Sequence, residues 1–197
     1  VDTIGPLAGD IARTCWLAAG LSQEVPGTTI DRQCGSSQQA VHFAAQAIMS
    51  GTMDVIVAGG LQTMTQIPIS SAMTCAEPLG FRDPFTGSKG WVERYGSEPP
   101  TQFRSAQMIA EKWNLSRKEL EIFSLESHTR ALRAIKEGRF DREIVPLAGV
   151  TMDETPRVST LEKMAELEFL FGCDRVTAAV SSQTCDAASA MLIVSEA

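Results

Sequence analysis

The segment Thr28-Thr29-Ile30-Asp31-Arg32-Gln33-Cys34-Gly35-Ser36-Ser37-Gln38-Gln39-Ala40 constrains this chain most, because backbone preference changes across a single cysteine. β-Branched Thr28, Thr29 and Ile30 favour extended backbone, whereas Ala40, Val41, Phe43, Ala44, Ala47 and Ile48 recur at helical spacing up to Ser50-Gly51. The expected order is strand, turn at Cys34, helix. A thiol in that turn meets the positive end of the helix dipole and unpaired backbone N–H groups, both of which favour negative charge on sulfur. Cys34 reads either as an activated nucleophile or as a small buried hydrophobe, the usual role of a free cysteine.

The flanking segments define a mixed pattern. Gly9 to Leu21 carries Ile11, Cys15, Trp16, Ala18 and Ala19 at amphipathic helical spacing, and Pro26-Gly27 marks a turn. Val55 to Ala58 is a continuous apolar run ended by Gly59-Gly60, the pattern of a strand buried on both faces. From Ser70 to Pro100, Pro, Gly, Met and aromatic residues with little periodicity predict a long loop region, a kind of segment that tends to be functional. Helices are expected over Gln102 to Trp113 and Ser116 to Glu137, the second opened by Ser116 and Glu119 in capping-box spacing. A third spans Thr160 to Phe171, where Ser159 and Glu162 repeat that spacing, and Val176 to Val180 and Met191 to Val194 read as strands. The class is α/β, a mixed sheet covered by helices.

Bulk properties exclude several functions. A net charge of −7, from 24 acidic and 17 basic residues in 197, opposes binding to a nucleic-acid backbone. No apolar run approaches the roughly 20 residues that a membrane-crossing helix needs, and no signal segment opens the chain, so the cytoplasm is the expected compartment. Cysteines at 15, 34, 75, 173 and 185, without a Cys-x-x-Cys pair and with only two histidines, argue against a metal site and against a disulfide framework. Arg130, Arg133, Lys136, Arg139 and Arg142 recur every third residue. They read either as a solvated helical face paired with Glu126 and Glu137 or as an attraction for phosphates.

Asp31 to Ala40 resembles the nucleophile segment of thiolases. Further segments resemble that family in the expected order: Asp54 to Thr65 with its Gly59-Gly60 pair, Leu115-Ser116-Arg117 through Ser127-His128, Gly138 to Leu147, and Val176-Thr177-Ala178 through Asp186. The resemblance covers essentially the whole chain. It implies a thiolase-like fold with an inserted loop domain, the N-terminal half of a layered αβαβα architecture. Residues 1–69 would form N-terminal domain core, 70–158 the inserted loop domain and 159–197 the return to the core, with the C-terminal domain absent.

The implied activity is acyl transfer between coenzyme A and a 3-ketoacyl-CoA or acetyl-CoA through a thioester on Cys34, in lipid degradation rather than biosynthesis. A thiolate suits this chemistry, because it is strongly nucleophilic near neutral pH and its thioester stays reactive. The backbone N–H of Cys34 is expected to help stabilise the tetrahedral oxyanion. His42 lies eight residues further along the same helix, roughly 12 Å away, too far to serve as base. His128 matches a loop-domain position without a catalytic role in the family. The family's activating histidine and second cysteine lie in Gly-His-Pro and Cys-x-Gly motifs, neither of which occurs here, so the chain alone is expected to be inactive.

The resemblance also implies that Ser182 contacts the pantetheine arm of coenzyme A and that Arg157 lies near its nucleotide. Coenzyme A is a substrate, with no permanently bound cofactor. A homodimer or homotetramer is the implied assembly. Thr101-Gln102 occupy the place of a His-Met pair that lines the acyl pocket in short-chain thiolases, which favours a bulkier acyl group. Ser37 replaces a common glycine and is a candidate helix cap. Competing readings are a non-catalytic thiolase-like binder of acyl-CoA or lipid, disfavoured by the retained Cys34, and a decarboxylating ketosynthase, disfavoured by the flanks of that cysteine.

Overall fold

The computed structural model describes residues 3–98 and 100–196. It divides into two compact units, one of residues 1–89 with 184–197 and one of residues 90–183.

The first unit contains α1 (Ile11–Ala18), α2 (Ser36–Met49), β1 (Val55–Thr63), the single turn α3 (Ser71–Thr74) and β2 (Asp186–Val194). Asp10 opens α1 by accepting from the Arg13 N–H at 3.2 Å, as an N-cap carboxylate should. α2 closes on a Schellman turn: Gly51 adopts φ +71°, its N–H reaches the Ile48 carbonyl at 3.0 Å, and the Thr52 N–H reaches Ala47 at 3.2 Å. β1 and β2 pair antiparallel over their full length, from Val55 opposite Val194 to Thr63 opposite Asp186. α2 packs on this ladder, and Ala44 of the helix and Ala58 of β1 are buried.

The strand at Val55 runs through Gly59-Gly60 rather than ending there. It is also not buried on both faces. In an antiparallel pair, residues opposite one another share a face, and Val55, Val57, Leu192 and Val194 are all exposed. A continuous apolar run shows that both faces are apolar, not that both are covered. Thr28 to Ile30 form no strand and no ladder. Thr29 instead accepts from the Ile11 N–H at 3.0 Å through its hydroxyl, tying the segment to the start of α1.

The second unit contains α4 (Lys89–Tyr95), α5 (Gln102–Lys112), α6 (Arg117–Lys136) and α7 (Leu161–Ala165). The segment expected as loop from Ser70 therefore holds α3, a 3₁₀ turn at Glu77–Leu79 and α4; Pro99 lies outside the described residues. Thr101 caps α5 by accepting from Arg104 N–H at 3.1 Å. Ser116 and Glu119 form the expected capping box on α6, which holds the Glu119 carboxyl below its usual range through the Ser116 backbone and hydroxyl bonds. α5 and α6 stop at left-handed Asn114 and Gly138, each with Schellman hydrogen bonding.

α7 is shorter than expected, and its cap is Thr160 rather than Ser159, the Thr160 hydroxyl accepting from Lys163 N–H at 3.3 Å. One Nη of Arg117 ends it by donating to the carbonyls of Met164, Ala165 and Leu167 at 2.8, 3.0 and 2.8 Å. Val176 to Val180 is not a strand: Ala178–Val180 form a 3₁₀ turn, because the Thr177 carbonyl accepts from Val180 N–H at 3.2 Å. Short apolar runs do not distinguish these states. Ala110, Met164, Val176 and Ala179 form the apolar interior of this unit. Among the described residues no helix is long and apolar enough to cross a membrane.

Candidate active site

Cys34 immediately precedes Gly35, the N-cap of α2, and its side chain is exposed. The buried-hydrophobe reading is thereby removed. The turn that presents it is built from its neighbours. Asp31 accepts from Gln33 N–H at 2.9 Å, an Asx turn. Gln33 adopts φ +51°, a left-handed conformation that costs a β-carbon-bearing residue roughly 1 kcal/mol. The surroundings hold it there: the Gln33 carbonyl accepts from Ser36 twice, from N–H at 3.1 Å and from the hydroxyl at 2.6 Å. The same Ser36 hydroxyl accepts from Arg32 N–H at 2.9 Å. The Arg32 guanidinium donates to the Gln39 side chain at 2.6 Å, fastening the turn to α2. Backbone strain maintained by several bonds beside a nucleophile candidate is a pattern associated with functional sites.

Ser37 is not the helix cap, since α2 has no side-chain cap hydrogen bond. Ser37 instead packs against Gly60 of β1, where an added Cβ would stand 2.6 Å from the Ser37 Cβ. The glycine lets the first turn of α2 approach the strand. At the far end of the ladder Asp186 accepts from Thr65 N–H at 3.0 Å and from its hydroxyl. These bonds, the hydroxyl first, hold the Asp186 carboxyl below its usual value. His42 is exposed on α2.

The second unit contains Arg157 and Ser182, both exposed. Their segments are bonded together: the Gln183 side chain donates to the Thr155 carbonyl at 3.4 Å. The Arg157 N–H donates to His128 Nδ1 at 3.3 Å. Neither the Arg157 guanidinium nor the Ser182 hydroxyl has a partner among the described residues, so both are available to a ligand. Of the basic row, Arg130 on α6 pairs with Glu126 at 2.6 Å, which favours the solvated-face reading for it, and Arg139, beyond the end of α6, pairs with Glu137 at 2.6 Å. Thr101 uses its hydroxyl as the α5 cap. Among the described residues no cluster of three or more His, Cys, Asp or Glu forms a metal site.

The signal for the Asx turn is local, an aspartate two residues before Gln33. The His128 to Arg157 bond has no such signal, since nothing local connects residues 29 apart.

The family described as "Thiolase, N-terminal domain" matches residues 7–197, and the chain belongs to it. It is 58% identical, over all of its length and 49% of the other's, to a steroid 3-ketoacyl-CoA thiolase of Mycobacterium tuberculosis. It is 34% identical to an acetyl-CoA acetyltransferase of Saccharomyces cerevisiae, over 94% of this chain and 50% of that protein. An acetyl-CoA acetyltransferase structure from Syntrophomonas wolfei superposes with a TM-score of 0.76 at 28% identity, covering 96% of this chain and 50% of the other. The expected thiolase-like α/β fold is therefore present. The chain spans about half the length of the curated relatives it matches.

Proposed function

We propose that this chain is the nucleophile-bearing part of a thiolase that transfers acyl groups between 3-ketoacyl-CoA and coenzyme A through Cys34. The observation that carries the reading is the exposed Cys34 thiol on a strained, multiply bonded turn at the start of α2. In the cleavage direction the Cys34 thiolate forms a bond to the C3 carbonyl carbon of the substrate. The C2–C3 bond then breaks, its electron pair leaving on the enolate of the departing acyl-CoA, which takes up a proton. The thiol of free coenzyme A next attacks the Cys34 thioester, giving up its proton to a base, and regenerates the cysteine. In the family the proton-transfer groups lie in Gly-His-Pro and Cys-x-Gly motifs, which a catalytic protein containing this chain must supply.

In this reading residues 1–69 and 159–197 form the N-terminal core, with 70–158 inserted as the loop domain, although the compact units of the chain divide instead after residues 89 and 183. Ser182 contacts the pantetheine arm and Arg157 the nucleotide, both side chains being exposed and unengaged. The enzyme works as a cytoplasmic homodimer or homotetramer. The 58% identical relative is named for a steroid substrate, which supports a bulky, ring-containing acyl group over acetoacetyl.

The test is mass spectrometry of the intact protein quenched during turnover with a bulky 3-ketoacyl-CoA. An acyl adduct on the Cys34 peptide, absent in Cys34→Ala together with thiolysis, is the expected result. An adduct on another cysteine overturns the assignment. Higher kcat/KM for acetoacetyl-CoA than for cyclic or long-chain substrates overturns the substrate class alone.

A further inference from the structure

Ser124 and His128 lie four residues apart on α6, so their side chains share one face of the helix. Each holds a different segment of the second unit. The Ser124 hydroxyl donates to the Ala179 carbonyl at 2.6 Å, and Ala179 is the buried centre of the 3₁₀ turn that leads to Ser182. That turn is braced from within by the Ser181 hydroxyl, which donates to the Thr177 carbonyl at 2.9 Å. One helical turn further on, His128 Nδ1 accepts the Arg157 backbone N–H at 3.3 Å. The bond from Gln183 to the Thr155 carbonyl, at 3.4 Å, joins the two segments to each other.

Residues 151–160 form neither helix nor strand, so no ladder holds the backbone around Arg157. The bond that the Arg157 N–H donates to His128 supplies a restraint there. Because it engages the main chain, it holds the Arg157 Cα while leaving the guanidinium exposed and unpaired. An acceptor at Nδ1 requires the imidazole proton on Nε2, the neutral tautomer.

We propose that Ser124 and His128 are positioning residues for the coenzyme A half-site, holding Ser182 and Arg157 at the separation that the pantetheine arm and the nucleotide require. This rests on the assignment of those two residues as coenzyme A contacts. A fixed pair of contacts reduces the ordering cost at binding. The residues therefore act on affinity for the coenzyme and not on the chemistry at Cys34.

The experiment is steady-state thiolysis by the intact protein carrying this chain, with coenzyme A and separately with pantetheine, which lacks the nucleotide, as acyl acceptor. Arg157→Ala and Ser182→Ala serve as references. His128→Ala is expected to raise KM for coenzyme A about fivefold with kcat little changed, the effect of losing one hydrogen bond. His128→Asn keeps an acceptor, Oδ1, at the place of Nδ1 and is expected to restore KM to within about twofold. With pantetheine as acceptor, His128→Ala is expected to leave KM for that acceptor unchanged, because Arg157 then has nothing to hold. Ser124→Ala, acting through Ser182, is expected to raise KM for both acceptors, and Ser124→Thr to preserve it.

If the Arg157 and Ser182 references leave KM for coenzyme A unaltered, the contact assignment fails, and the positioning role with it. If the references raise KM while His128→Ala and Ser124→Ala do not, the positioning role alone is overturned. It is equally overturned if His128→Ala weakens coenzyme A and pantetheine alike, or if His128→Asn behaves as His128→Ala, since either marks a merely structural histidine. Should His128→Ala fail to fold, the comparison of His128→Asn with His128→Gln, whose longer side chain displaces the acceptor, decides the same question.

Discussion

Gly60 of β1 lies so close to Ser37 of α2 that a Cβ on Gly60 would stand 2.6 Å from the Ser37 Cβ. Two backbones meet here with no flexible side-chain end to yield. Gly60→Ala should therefore push the first turn of α2, and Cys34 with it, away from the strand, at about 1–3 kcal/mol in stability as for other overpacked sites. Ser37→Gly removes the opposing carbon. The double variant Gly60→Ala/Ser37→Gly should regain most of the loss in a urea-unfolding cycle, a coupling expected of residues in contact. Strict additivity of the two substitutions would contradict the close approach.

Cys34 should be the fastest of the five cysteines to react with iodoacetamide in the intact folded protein. Exposure does not decide this, since Cys15, Cys75 and Cys185 are exposed as well. Cys34 differs in standing at the N-terminus of a 14-residue helix, where backbone N–H groups favour an anion. Peptide mapping after limited labelling gives the order. Prior modification of Cys75 or Cys185 with Cys34 intact would contradict it.

Arg117 joins α6 to the end of α7. Its Nε donates to buried Glu121 at 2.7 Å, one Nη donates to three carbonyls of residues 164–167, and the guanidinium lies over the Phe169 ring at 4.9 Å. Arg117→Met strands the Glu121 carboxylate and should cost about 3 kcal/mol, as breaking a buried pair does. Arg117→Lys should rescue little, because a lysine ammonium lacks the planar fork that serves all these acceptors together. Substituting both partners, Arg117→Met/Glu121→Leu, should recover part of the loss in thermal unfolding. Full rescue by lysine would show that charge alone matters at this position.

Asp186 contributes stability that depends on pH in a defined direction. Bonds from the Thr65 hydroxyl and N–H lower its folded-state value below the ordinary 3.8. Its contribution is therefore complete above that ordinary value and is lost as pH falls through the folded one. Asp186→Asn should lower the urea midpoint at neutral pH, and the gap from wild type should close in strong acid. A gap that persists there would mean that the carboxylate charge is irrelevant to the β1 turn.

The features legible in the sequence are those made by neighbours along the chain. The stops at Gly51, Asn114 and Gly138 and the Ser116–Glu119 box involve residues within a turn or two of each other, so residue type alone specifies them. The turn at Cys34 was legible for the same reason, being written in Asp31 to Ser36. Tertiary contacts decided the rest. Thr28 to Ile30 have strand residues, but Thr29 bonds to α1 from 18 residues away. The helix that begins after Thr160 stops where Arg117, 47 residues earlier, takes the Met164 carbonyl. Arg157 is held by His128 from 29 residues away. Local preferences differ by only about 1 kcal/mol per residue. One side chain arriving from a distant segment to satisfy an otherwise unpaired backbone group matches that, and where it arrives is a property of the folded chain.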